Sequence, residues 1–543
     1  MYRKLLLLPF LFLIINGCDS EESEQTNLPD DTVGEVDTTA PIPTITGLEL
    51  DLEVATTIDI SIQEASDIEE ILVFVNQSEI LNTKEKTFSF ELNPFDYPNG
   101  ENTLSIIAKD SEGNQSEENQ TFEVNKLLAS IASPYLIDNG RVFISANKMT
   151  GELITTVEVF RDFEIVKLYA DDDFTEQPIV VTSYVMLGEN NLVISEIKSI
   201  ASITPGTDLV KFQDNARSWT ENTFRPGQDY DYFSFSVEEI ESERIARSLS
   251  GGSGIGLTDF VGVSIGNVME QTNGFTGNLR GRGSSNSTLN NILIHTTNSS
   301  LGPDFEKITM NDYKYLFVND PNGQSISYSQ FRSLDKIGEI QLPNNVEPYF
   351  IEVSGYKDET AYHNQNYSSM YTSSLENVVN GAIEIPIVDD FNLIISNISF
   401  SINGYSRMSA SVVGEKSIEI PNWNAQKSQE SIFLTGDFDL FKLSFSKTSP
   451  SGDRLVSWEY FHEKQDEVKL NIESFEFPEI IESLAEISQY DLESIKTPDR
   501  ENIELIGSTG NLKYEELLFD RQNGIPRPYN AAPVDVYTLT TTL

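Results

Sequence analysis

This chain lacks most of what metal, redox and cofactor chemistry draws on. It has one cysteine, Cys18, in 543 residues. That excludes an internal disulfide and any multi-cysteine zinc site. Its three histidines, His295, His363 and His462, are far apart and form no His-Glu-x-x-His pattern. Basic side chains are scarce: 36 Lys and Arg against 86 Asp and Glu leave a formal charge of −50. A surface this negative repels nucleic acid and anionic head groups, so no nucleic-acid partner is expected. The small basic patch at Arg280 and Arg282 reads as a loop. Gly251-Gly252-Ser253-Gly254-Ile255-Gly256 holds no Gly-x-Ser-x-Gly, no Walker motif and no full dinucleotide fingerprint, and no cofactor is implied. Ser-x-x-Lys occurs at Ser145/Lys148, Ser195/Lys198 and Ser333/Lys336, without the partner motifs of penicillin-recognising enzymes. Long helical periodicity is also scarce, with residues 237–249 and 479–494 the two helix candidates.

The longest apolar stretch, residues 5–15, is interrupted only by Pro9. It falls well short of the roughly twenty apolar residues that a spanning helix needs. Behind Arg3 and Lys4 it reads as the h-region of an export signal. The signal ends Ile15-Asn16-Gly17-Cys18, which resembles a lipobox. The resemblance implies cleavage after residue 17 and acylation of Cys18, with a membrane as partner through that lipid. Asp19-Ser20-Glu21-Glu22-Ser23-Glu24 then resembles the export tag of surface lipoproteins in Bacteroidota. An Asp directly after the cysteine also resembles an enterobacterial inner-membrane retention signal. The run of several acids favours display on the outer membrane surface. Asp31-Thr32-Val33 and Asp37-Thr38-Thr39 resemble the O-glycosylation site of that phylum.

Period-two alternation and turn residues predict an all-β chain of several β-sandwich domains in series. Residues 1–17 are read as signal and 18–37 as an acidic tether too poor in apolar side chains to order itself. The sandwiches are placed at 38–126, 127–250 and 251–345, with a β-rich C-terminal region at 346–543. In the first, Ile58, Ile60 and Ile62 share one face, while residues 71–75 are apolar on both faces, as in a central strand. Thr38-Thr39-Ala40-Pro41, Pro98-Asn99-Gly100 and Ala108-Lys109-Asp110-Ser111-Glu112-Gly113-Asn114 resemble bacterial immunoglobulin-like modules. That resemblance covers about a sixth of the chain and implies a spacer or adhesion module. The remainder resembles uncharacterised flavobacterial lipoproteins. Hairpins are expected across Asp320-Pro321-Asn322-Gly323 and across residues 449–453. An apolar-polar-apolar-proline pattern ending at Pro343, Pro386, Pro421 and Pro478 suggests that each proline ends or edges a strand.

For a site, residues 356–371 stand out. Tyr356, Tyr362, His363, Asn364, Tyr367 and Tyr371 combine rigid aromatics with amides, a composition suited to a glycan or protein ligand. A weaker candidate is Asp229, Tyr230, Asp231 and Tyr232 with Trp219. Asp171, Asp172, Asp173 and Glu176 could offer oxygens to calcium but lack the spacing of a calcium loop. The expectation is surface binding or adhesion with the immunoglobulin-like module as a stalk. A polysaccharide-acting enzyme and a structural subunit of an envelope complex are the alternatives. Cys18→Ala should abolish metabolic labelling with a fatty acid and release the protein from membranes. A variant that still carries label would end the lipobox reading.

Overall fold

The computed structural model describes residues 37–132, 140–160, 164–187, 193–210, 232–238, 245–249, 274–280, 292–296, 309–318, 324–344, 346–359, 362, 367–374, 381–402, 406–428, 431–448, 455–469, 473–487, 492–510, 514 and 534–543. The signal, Cys18 and both candidate glycosylation motifs apart from residues 37–39 lie outside them. Among the described residues no helix is long and apolar enough to cross a membrane. The chain is all-β, as its alternation predicts, and its one described α-helix is Glu479–Ile487.

The chain divides into two compact units: Met1–Thr46, Asp59–Ser89 and Thr103–Gln120, and Gly47–Ile58, Phe90–Asn102 and Thr121–Leu543. The strands between residues 42 and 124 form two sheets. One is ordered Ile42–Thr46, Thr56–Gln63, Thr87–Leu92; the other Asp51–Leu52, Gln115–Val124, Gly100–Asp110, Ile68–Val75, Ser78–Thr83. In the first unit Ile45 pairs with Ile60 and Val73 with Ile106, both antiparallel. Ile60, Ile62, Ile71, Val73 and Val75 are buried, so the predicted apolar faces are core faces. Asn76 and Gln77 take positive φ (50° and 70°) where Ile68–Val75 turns into Ser78–Thr83, a geometry that suits the twist of a tight hairpin. Gly113 (φ +90°) sits in the turn expected at residues 110–114.

In the second unit the chain passes from residue 125 to residue 127 without a slack linker. Asn125 N–H donates to Leu52 O (3.1 Å) and Leu127 N–H to Glu53 O (3.4 Å). Buried Lys126 donates its N–H to Asn99 Oδ1 (3.2 Å) and its ammonium to Asp172 O (3.0 Å). Asn99 N–H reaches Asp172 Oδ1 (2.6 Å), and Glu53 accepts from both Lys167 Nζ and Tyr169 OH (2.6 Å each). Burial pushes the Glu53 carboxyl up, but these two donors outweigh it and hold the group below its ordinary range. Phe95 and Phe174 bring their rings to 5.9 Å beside this polar seam.

Twelve strands then form one sheet, ordered Leu153–Val159, Arg141–Lys148, Ile179–Leu187, Val193–Ile203, Leu455–Glu463, Leu440–Thr448, Arg500–Ser508, Val536–Thr542, Ser406–Val413, Leu393–Ile402, Val346–Tyr356, Tyr367–Ser374. Every neighbouring pair is antiparallel except Val193–Ile203 with Leu455–Glu463, which is parallel. Strands from 127–250 and from 346–543 therefore share a sheet instead of forming separate ones. The joining pair is hundreds of residues apart, and local periodicity carries no such signal. Trp458 anchors the join. Its Nε1–H donates to Ser199 Oγ (2.9 Å), which also bonds Thr182 Oγ1 (2.8 Å). Its ring meets Phe475 (5.0 Å), Phe477 (5.8 Å) and Phe445 (6.0 Å).

Several local expectations need correction. The described parts of the helix candidate at 237–249 are strand: Tyr232–Glu238 and Ile245–Leu249 pair with Gly274–Arg280 and Ile292–Thr296, distant partners that override a helix-compatible pattern. The turn at residues 320–323 lies outside the described residues. Among the described ones, Lys314–Val318 pairs with Ile292–Thr296, and Ser325–Ser327 with Tyr232–Glu238. Lys314–Val318 also pairs antiparallel with Arg332–Ser333 beyond the turn. The second hairpin is present, with Thr448 paired to Leu455. Helix Glu479–Ile487 falls in the other helix candidate, and Pro478 opens it by accepting from Ile481 N–H and Glu482 N–H. Pro386 lies inside strand Ala382–Ile387 of a two-stranded sheet, where its missing N–H breaks no inner ladder.

Trp458→Ala should lower stability by about 3–5 kcal/mol, as for other buried aromatics. Ser199→Ala should cost about 1–3 kcal/mol by stranding buried polar partners. Denaturant midpoints of the two variants and their combination would check this; additive losses would show that the two side chains do not act together.

Candidate functional site

The tyrosine-rich segment is built into the sheet. Strand Val346–Tyr356 pairs antiparallel with Tyr367–Ser374, setting Tyr356 opposite Tyr367, with a register shift at Val353/Ser354. Tyr356 and Tyr362 are 0 % and 4 % exposed and meet edge to face at 5.3 Å, packed with Ile395, Leu393 and Val413. Tyr362 N–H closes a turn onto Asp358 O (3.1 Å). Tyr371, 7 % exposed, belongs to the main core. These three rings are core and offer no open face for stacking. The sequence misleads here because closely spaced polar residues mask a strand–turn–strand pattern. His363 and Asn364 lie outside the described residues, as do Trp219, Asp229, Tyr230 and Asp231.

The acidic run at 171–176 is spent on the junction. Asp172 accepts from Asn99 and Lys126, and Glu176 Oε2 from Asn93 Nδ2 (2.8 Å). A different trio, Asp37, Glu64 and Asp110, brings carboxylate oxygens within 4.8 Å of one another, an all-oxygen donor set of the kind hard cations such as calcium take. Asp110 is buried and ties its turn together by accepting from Glu112 N–H (2.9 Å), Asn114 N–H (2.8 Å) and Asn114 Nδ2 (2.8 Å). Glu64 Oε1 accepts from Ser66 N–H (2.9 Å) and Oγ (3.1 Å). The Ser-x-x-Lys matches carry no site. On a strand, residues i and i+3 point to opposite faces. Ser145 bonds Asn147 (3.1 Å), while Lys148 pairs with Glu152 and Lys336 with Glu415.

Sequence reasoning missed one constellation altogether. Ser202 Oγ lies 3.3 Å from His462 Nε2. His462, 3 % exposed, stacks on Phe441 (5.3 Å, 7° between planes), and its Nδ1 lies 2.8 Å from Glu463 O. A carbonyl only accepts, so Nδ1 carries the proton and Nε2 is left to accept from the Ser202 hydroxyl. Burial pushes the ring below its ordinary value of 6.5, against the opposing pull of the Glu463 carbonyl and charge. These residues meet only through the parallel pairing, and nothing local in either segment signals it.

No protein-family model matches this sequence, and comparison with well-characterised proteins finds no relative. Among solved structures, the chain is similar to fibronectin(III)-like modules of CbhA from Clostridium thermocellum (13% identity, 31% of this chain, 95% of that one, TM-score 0.13). It is also similar to a tandem repeat from the extending region of a large adhesion protein (10% identity, 69% and 99%, TM-score 0.13). A third is a Ca2+-stabilised adhesin with which an Antarctic bacterium binds ice (7% identity, 70% and 100%, TM-score 0.14). At these TM-scores the superpositions carry no argument about a site. The protein's class is set by its own sheets: an all-β chain with a three-stranded and a five-stranded sheet near its N-terminus.

The neutral, buried His462 makes stability depend on pH. Below about 6.5 the unfolded chain takes up a proton that the folded ring resists, so the unfolded state binds more protons. The contribution is complete above that value, falls as pH drops through it, and levels off below the folded-state value. Urea midpoints between pH 8 and pH 5 should therefore fall more steeply in the wild type than in His462→Gln. Equal slopes would mean that the ring titrates as it does in the unfolded chain.

Proposed function

We propose that this chain is an exported lipoprotein, held at the outer membrane surface by acyl chains on Cys18, that binds a glycan or protein ligand in an adhesive role. The observation that carries the reading is the locked junction at residues 125–127. Within the second unit, Lys126, Asn99, Asp172 and Glu53 bond segments 47–58 and 90–102 to the β-structure that follows residue 126. This seam of backbone and buried side-chain bonds takes the place of a flexible linker at residues 125–127. The acidic stretch after Cys18 supplies a solvated tether on the membrane side. The excess of acids disfavours polyanionic ligands and leaves neutral glycans or cationic proteins as the ligand classes.

Protease treatment of intact cells, followed by immunoblotting, tests the placement. The protein should be digested without permeabilising the outer membrane, and purified protein should bind on a glycan array or to whole cells. Protection from protease until the outer membrane is opened would overturn surface display, and absence of binding in both formats would overturn the adhesive role.

A further inference from the structure

Ser202 is the one described non-glycine residue with positive φ outside a hairpin turn (φ 59°). The cause lies in the register. Ile203 pairs with Ile179 and Ile200 with Val181, so Ala201 and Ser202 together face the single residue Val180. This is a β-bulge, a device that re-aims a side chain. The buried neighbours Ala201 and Ile203 pin the backbone on both sides. A left-handed serine costs free energy that glycine would not, and such strain gathers at functional positions. Here it delivers a hydroxyl to the accepting nitrogen of a buried imidazole.

We propose that Ser202 is a nucleophile and His462 its general base, forming a Ser–His dyad that hydrolyses carboxylic esters. This activity goes beyond the binding role. The parts match the general pattern for an activated hydroxyl: nucleophile and base within hydrogen-bond reach, and the base oriented by a third group. The third group is the Glu463 carbonyl, which fixes the tautomer. Phe441 fixes the ring plane from its face. Burial keeps the ring neutral at pH 7, the form a base needs. Ser202 is partly exposed, so an ester can approach it from solvent.

In the first half-reaction the Ser202 Oγ–carbon bond forms as Nε2 takes the hydroxyl proton. The ester C–O bond then breaks, and the departing alkoxide receives that proton and leaves as an alcohol. Water attacks the acyl-serine in the same way, releasing a carboxylic acid and restoring both side chains. A neutral carbonyl stabilises imidazolium less than a carboxylate does, so esters with good leaving groups are the substrates and amides are not.

The test uses the full-length protein with a fluorophosphonate probe and peptide mass spectrometry, with p-nitrophenyl acetate turnover as a second readout. The expected result is one adduct at Ser202. Ser202→Gly, which removes the hydroxyl and relieves the positive φ, should fold at least as stably and lose both adduct and turnover. His462→Gln should slow labelling by about 100-fold or more, the scale of general-base assistance. If that variant misfolds, the wild-type pH profile decides: labelling should rise with a single inflection below 6.5. No adduct at Ser202, turnover that survives in Ser202→Gly, or a rate that rises only with hydroxide would each overturn the proposal and leave the dyad as a structural hydrogen bond.

Discussion

The architecture depends on one pairing, the parallel contact of Val193–Ile203 with Leu455–Glu463. A parallel pair cannot close through a tight turn and needs a long crossover. Here residues 204–454, nearly half of the chain, lie between the two strands. The pairing turns two sets of antiparallel strands into one twelve-stranded sheet. Trp458 reinforces it from the core side with a hydrogen bond to Ser199 and a cluster of phenylalanines. The Ser202–His462 contact crosses the same seam. Stability of the second unit and the chemistry of the dyad thus share a single constraint.

A chain with so many acids must also place its few cations well. Buried Lys126 hydrogen-bonds the junction, its ammonium donating to the Asp172 carbonyl. Lys442 sits between Glu504 (2.9 Å) and Glu459 (3.3 Å), a partly buried triad across neighbouring strands. Lys416 pairs with buried Asp535, which also accepts from Val413 N–H (2.9 Å) and so ties the last strand to its neighbour. Removing one partner from such a group leaves a charge without compensation, which costs far more than losing an exposed ion pair.

The two functional readings rest on different physics. Surface binding rests on the export and lipidation resemblance and on the bonded seam at residues 125–127. Ester hydrolysis rests on a strained residue and a tautomer set by geometry. Tyr356, Tyr362 and Tyr371 support neither as an exposed platform, because they are spent on packing.

Local chemistry made much of the architecture legible. Alternation of polarity determined the all-β class and the core face of Ile58, Ile60 and Ile62. Turn residues determined the Asp110–Asn114 turn and the hairpin that pairs Thr448 with Leu455. These are decided by neighbours a few residues away, where steric and hydrogen-bond preferences act directly. Strands Tyr232–Glu238 and Ile245–Leu249, the pairing of Ser325–Ser327 with Tyr232–Glu238 and the burial of Tyr356 were decided elsewhere, by partners distant in sequence. Periodicity shows that a strand has an apolar face but not which strand will cover it. The meeting of Ser202 with His462 is the clearest case. Neither segment hints at the other, and only sheet pairing, which gathers its enthalpy after the chain has closed the loop between them, sets the hydroxyl against the ring.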